Sequence, residues 1–144
     1  MKVVINADYG GFGLSPKALK YVADKLGQPI YFFKSSYAYG KYTYIPISPE
    51  EAHRSIWGLR AFNIPDPGSV ADLNENYDKY NWSFSRYFES RADPLLVEVV
   101  EALGDEANGS HAKLKIVEIP DDVEWTIQEY DGWEWVAEKH RTWN

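Results

Sequence analysis

The chain has 144 residues, a formal net charge of −7 and no cysteine. Disulfides, thiolate metal sites and cysteine nucleophiles are therefore excluded. No apolar run is long enough for a transmembrane helix, and no signal-peptide pattern is read at the amino end. The acidic balance argues against extended nucleic acid as a partner.

The length suits one globular domain, 1–144, and the composition suits the reducing cytoplasm. Eleven Tyr, six Trp and six Phe are an unusual surplus of rings. Such rings pack cores, line ligand pockets and drive self-association, so a homo-oligomer is an expectation.

Lys2 to Asn6 reads as a short buried strand. The glycines of "YGGFG" follow, then Ser15 as a helix cap and Pro16 at the first helical position. Ala18, Leu19, Val22, Ala23 and Leu26 recur at helical spacing, and Gly27 with Pro29 ends the helix. "IYFFK" from Ile30 reads as a second strand. Strand, helix and strand predict a parallel βαβ unit with a right-handed crossover. Tyr37, Tyr39, Tyr42 and Tyr44 alternate around Gly40, as a ribbon or an irregular loop. Ser48, Pro49 and Glu51 form a second capping signal.

Residues 57–83, rich in Pro, Asn, Asp and Gly, read as a long loop or lid. "SFSRYFES" reads as a strand. Asp93-Pro94 starts a helix whose apolar stripe runs from Leu95 to Ala107, with Asn108-Gly109 as its stop. "AKLKIVEIP" reads as a strand. "WTIQEY", "DG" and "WEWVAEK" read as a hairpin, because Asp-Gly accepts the positive φ of a type I′ turn. The expected fold is mixed α/β (α+β): a short strand–glycine loop–helix unit, a mixed sheet and a carboxy-terminal antiparallel hairpin.

The glycine loop matches neither G-x-G-x-x-G nor G-x-x-x-x-G-K-[ST]. Its place between strand and helix still suits an anion, because helix amino ends offer free N–H groups. The other reading is a tight turn that needs positive φ. Arg91, two residues before a helix cap, and Arg141 are candidate grips for phosphate or carboxylate, as against surface ion pairs. His53, His111 and His140 lack zinc-site spacing, so no metal or other cofactor is expected. Glu118, Glu124, Glu129 and Glu134 are cleft candidates or a solvated face. Trp125, Trp133, Trp135 and Trp143 cluster near the carboxy end. They read as packing, with Trp125 opposite Trp135, or as a stacking pocket.

"VINADYGGFGLS" and the stretch from "SRADP" to "EYDGWEWVAEKHRTW" resemble a group of small phage and prophage proteins. These open with V-I-N-x-x-Y-G-G-F-x-L-S and close with E-Y-D-G-x-E-W-x-x-E-x-H-R-T-W. The resemblance covers roughly half the chain, its first fifteen and about its last fifty-five residues. It implies a phage protein in the cytoplasm of a bacterial host. By analogy of genomic setting, it implies a sponge that sequesters a nucleotide-derived immune signal, cyclic ADP-ribose-like or a cyclic oligonucleotide. The ligand-binding positions it implies are Asn6, Tyr9, Gly10, Gly11, Phe12, Ser15, Arg91, Asp93, Glu129, Tyr130, Arg141 and Trp143. Two alternatives stand beside it. One is a hydrolase on the same ligand class, with Asp8 or a strand Glu as base. The other is an acidic protein inhibitor of a host enzyme.

Overall fold

The computed structural model describes residues 1–55, 58–69, 73, 77–83 and 87–139. In chain order the elements are β1 (Lys2–Asn6), α1 (Pro16–Leu26), β2 (Tyr31–Ala38), β3 (Lys41–Ile47), α2 (Pro49–Arg54), β4 (Leu59–Phe62), α3 (Tyr77–Tyr80), α4 (Pro94–Leu103), β5 (Leu114–Glu118), β6 (Trp125–Tyr130) and β7 (Trp133–Glu138). The fold is mixed α+β. The chain divides into two compact units, Met1–Ala18 with Phe88–Asn144, and Leu19–Tyr87. They differ in charge. The first has seven basic and fifteen acidic residues, a net −8; the second has eight and seven, a net +1.

Every strand pair among the described residues is antiparallel. This corrects the expected parallel βαβ unit and mixed sheet. β1 pairs with β5, while β2 has β3 on one edge and β4 on the other. Both edges of β2 are therefore filled by strands close to it in sequence. A short strand after a helix does not by itself say which neighbour it will find.

In the first unit, Val3, Val4 and Ile5 of β1 are buried, as are Leu96, Val99 and Val100 of α4. Asp93 caps α4 by accepting the Leu95 N–H at 2.9 Å, and Pro94 supplies a first residue that needs no donor. The helix stops at Gly104, earlier than the apolar stripe implied. There φ turns to +57°, and one 3-10 turn carries the chain to Ala107. β6 and β7 form the hairpin expected from Asp131-Gly132, whose φ angles are +49° and +88°.

In the second unit, Phe33, Phe62 and Leu73 form a core against which Tyr44, Ile64, Tyr77 and Tyr80 pack. Phe62 closes β4, a four-residue strand inside the stretch that read as loop or lid. It is too short to show a pattern between Gly58 and Asn63. Residues 57, 70–72 and 74–76 of that stretch lie outside the described residues. Of "SFSRYFES", residues 84–86 also lie outside them, and none of the rest is in a strand. Ser48 caps α2 by accepting the Glu51 N–H at 3.1 Å. The tyrosine ribbon is a second two-residue hairpin, with Tyr39 at φ +53° and Gly40 at +76°.

Candidate functional site

The first unit is tied together by a buried polar knot. β1 gives the hydrogen bonds of one edge to β5. On its other edge no strand follows among the described residues; a side chain and a loop carbonyl take that place. The Val4 N–H donates to the Arg91 carbonyl at 2.9 Å, and the Asn6 N–H donates to Glu134 Oε1 at 2.7 Å. Arg91 grips Glu134 bidentately, Nη1 to Oε1 at 2.7 Å and Nη2 to Oε2 at 2.9 Å. Glu134 is only 6% exposed, and such a fork holds two planar groups in one orientation. The guanidinium also lies over the Phe12 ring, 3.6 Å from its centroid.

Asn6 is fully buried and uses its whole amide. Nδ2 donates to the Asp8 and Gly132 carbonyls, each at 2.8 Å, and Oδ1 accepts the Lys113 N–H at 2.8 Å. One side chain thus joins the glycine loop, the hairpin turn and the entry to β5. The glycines are there because backbone meets backbone. A Cβ on Gly132 would stand 2.4 Å from the Gly11 nitrogen, and one on Gly10 would stand 2.8 Å from the His111 carbonyl oxygen. The Gly10 N–H donates to the Asp131 carbonyl at 3.3 Å.

The remaining proposed positions fall into three groups. Ser15 is buried and caps α1, accepting the Ala18 N–H at 3.1 Å and donating to the Glu106 carbonyl. Asp93 caps α4. Tyr9, Glu129 and Tyr130 are exposed. Arg141 and Trp143, with His140, lie outside the described residues. The knot therefore unites Asn6, Gly10, Gly11, Phe12 and Arg91, and it employs them in holding the fold. Glu134 completes it. Its alternation with Trp133 and Trp135 was the available signal: in "WEWVAE" the rings face outward and the carboxylate inward.

That inversion creates the second feature. Tyr9, Tyr130, Trp133 and Trp135 are 55, 72, 42 and 43% exposed. Trp133 stands directly opposite Tyr130 and meets Tyr9 edge-on, with ring centroids 5.2 Å apart. Trp135 stands opposite Gln128 on the same face, and Trp125 opposite Glu138, which corrects the expected Trp125–Trp135 pair. No protein-family model, curated protein or solved structure matches this chain.

In sequence these rings sit in an acidic stretch, although Glu129, Glu134 and Glu138 lie on the opposite face of the hairpin. Residues 118–138 contain eight carboxylates and no Lys or Arg. Asp8 accepts the Tyr9 N–H at 2.7 Å beside them. In the second unit, a hollow of about 180 Å³ is lined by Ile30, Phe32, Phe33, Ile47, Pro49 and other apolar groups, with Tyr31 its only hydroxyl-bearing side chain. Among the described residues no three His, Cys, Asp or Glu gather to hold a metal, and no helix is long and apolar enough to cross a membrane.

Proposed function

We propose that this protein acts by binding, as an acidic inhibitor that docks on a basic surface of a host enzyme. The surface is the outer face of β6–β7 with Tyr9. The observation that carries this reading is four half-exposed rings, three of them in a stretch with no Lys or Arg and eight carboxylates, seven besides the buried Glu134. Large rings on a rigid hairpin give contact area at low entropic cost, and the face of each attracts Lys or Arg. The net −8 of this unit, with Asp8 and Asp131 next to Tyr9 and Tyr130 in the chain, steers a basic partner and repels an anionic one. The knot beneath fixes the hairpin before the partner arrives, which lowers the cost of binding.

A second reading keeps the nucleotide-derived ligand, with a base stacked on Trp133 or Tyr130. The exposed rings favour it, and the carboxylates oppose its phosphates. One pair of experiments separates the two. Host proteins captured by the immobilised chain are compared with those captured by a Trp133→Ala/Trp135→Ala variant, at low and high salt. Thermal shift with a panel of cyclic and linear nucleotides is run alongside. The inhibitor reading predicts a basic host protein lost with the variant and with salt, and no nucleotide shift. Equal capture by both chains contradicts it. A nucleotide shift abolished by the variant favours sequestration.

A further inference from the structure

Among the described residues, the second unit has a sheet edge with no strand beside it and a defined register. β2 gives alternate residues to its two neighbours. The Ser35 N–H donates to the Gly58 carbonyl at 2.7 Å, so Phe33, Ser35 and Tyr37 turn their main chains toward the β4 side. Lys34, Ser36 and Ala38 turn theirs toward β3. Their partners there are Ile45, Thr43 and Lys41. It follows that Tyr42, Tyr44 and Pro46 direct their main chains outward. Among the described residues, no hydrogen bond reaches those outward groups of Tyr42 or Tyr44. Both sit in a run of strong strand formers, Tyr-Thr-Tyr-Ile.

We infer that a second copy of this chain pairs on this edge, β3 against β3 antiparallel about a two-fold axis at Thr43. The register follows from matching both the N–H and the C=O of each tyrosine. Centred on Thr43, Tyr42 faces Tyr44 of the partner, and each pair exchanges two hydrogen bonds, four in all. Centred on Tyr44, four bonds also form, but Tyr42 faces Pro46, which has no N–H to give, so the outward carbonyl of each Tyr42 is left unmatched. Centred on Tyr42, only that one pair can bond. The Thr43 register also places tyrosine beside tyrosine, a favourable cross-strand pair, and Lys41 opposite Ile45 instead of another lysine. It joins two three-stranded sheets into one of six and removes an open edge from each copy.

Charge permits it. Between Asp24 and Glu50 there are three lysines and no acidic residue, so copies that each carry −7 meet away from their carboxylates, and Lys41 faces Ile45 and not its own copy. Exposed Tyr42 and Ile45, on opposite faces of β3, supply apolar area on both sides of the joint.

The test uses the absence of cysteine. Across the two-fold, Thr43 faces its own copy in a non-hydrogen-bonded pair, where Cβ atoms come within disulfide range. A Thr43→Cys chain is expected to oxidise to a covalent dimer, whereas Lys41→Cys, four residues from its copy in this register, is not. Sedimentation of the unmodified chain is expected to give twice the 16.6 kDa chain mass. Tyr42→Pro removes outward N–H groups and leaves the β2 ladder intact, so it is expected to weaken the dimer about tenfold or more. Circular dichroism checks that each variant is folded. A chain that sediments as a monomer at every concentration overturns the inference. So does a dimer that Tyr42→Pro leaves unchanged, or equal crosslinking through positions 41 and 43.

Discussion

The two hairpins, β2–β3 and β6–β7, share one turn and differ in everything around it. Tyr39-Gly40 and Asp131-Gly132 both place two residues at positive φ, as a two-residue hairpin requires. Gly40 has no atom near the position a Cβ would take, and Tyr39 is wholly exposed. Gly132 lies against the backbone of Gly10 and Gly11, and its carbonyl accepts from buried Asn6. The same local signal thus makes a free tip in one unit and a packed joint in the other. A turn motif states a conformation. What the turn does depends on residues that arrive from elsewhere in the chain.

The contrast can be broken most severely at the knot. Glu134→Ala leaves the Arg91 guanidinium without its carboxylate and the Asn6 N–H without an acceptor. Removing one partner of such a buried pair costs about 3–5 kcal/mol, read as a lower urea midpoint with the slope kept. Any change below about 1 kcal/mol would mean that the pair does not hold the hairpin. Next come the two turn glycines. Gly40→Ala meets only the positive-φ penalty of about 1–2 kcal/mol. Gly132→Ala adds a collision with backbone that cannot step aside, so it is expected to cost at least about 1–3 kcal/mol more. Equal losses at the two positions would erase the distinction between tip and joint.

The smallest effect is at the chain start. The Asp121 carboxyl accepts from the Met1 ammonium, and that hydrogen bond, then the ammonium charge, holds its pKa below the ordinary 3.8. A lowered folded pKa stabilises above the unfolded value and is lost as pH falls through the folded one. The unmodified chain is therefore expected to exceed Asp121→Asn slightly near neutrality and to converge with it below pH 3.8. A gap that widens in acid would contradict the assignment.

Much of this was legible locally. Ser15-Pro16, Ser48-Pro49 and Asp93-Pro94 mark helix starts because a cap acts within three residues. Asp131-Gly132 marks a hairpin for the same reason. The partners were not legible. Gly10 is glycine because of His111, and Gly11 meets Gly132 from the far end of the chain. Glu129 and Glu134 stand directly opposite each other, yet one is exposed and the other buried. Only Arg91 and Asn6 distinguish them. β1 looked like one half of a parallel unit because its second edge is filled by a carboxylate and a loop carbonyl, which no strand pattern announces. The residues of the "VINADYGGFGLS" stretch that seemed to await an anion are, in the fold, largely occupied with each other.

The central claim is that the knot holds and the ring face binds, and these two duties separate on the same strand. Trp133 and Trp135 point away from Glu134, so Trp133→Ala/Trp135→Ala is expected to cost about 1–3 kcal/mol, from the covered half of each ring and the Tyr9 contact, and to leave the knot in place. The decisive measurement is host-protein capture by this variant at matched folded fraction. The account predicts a variant that still folds cooperatively, with a midpoint lowered less than by Glu134→Ala, and with capture abolished. A variant that unfolds, or one that stays folded and captures the same partner in full, would contradict it.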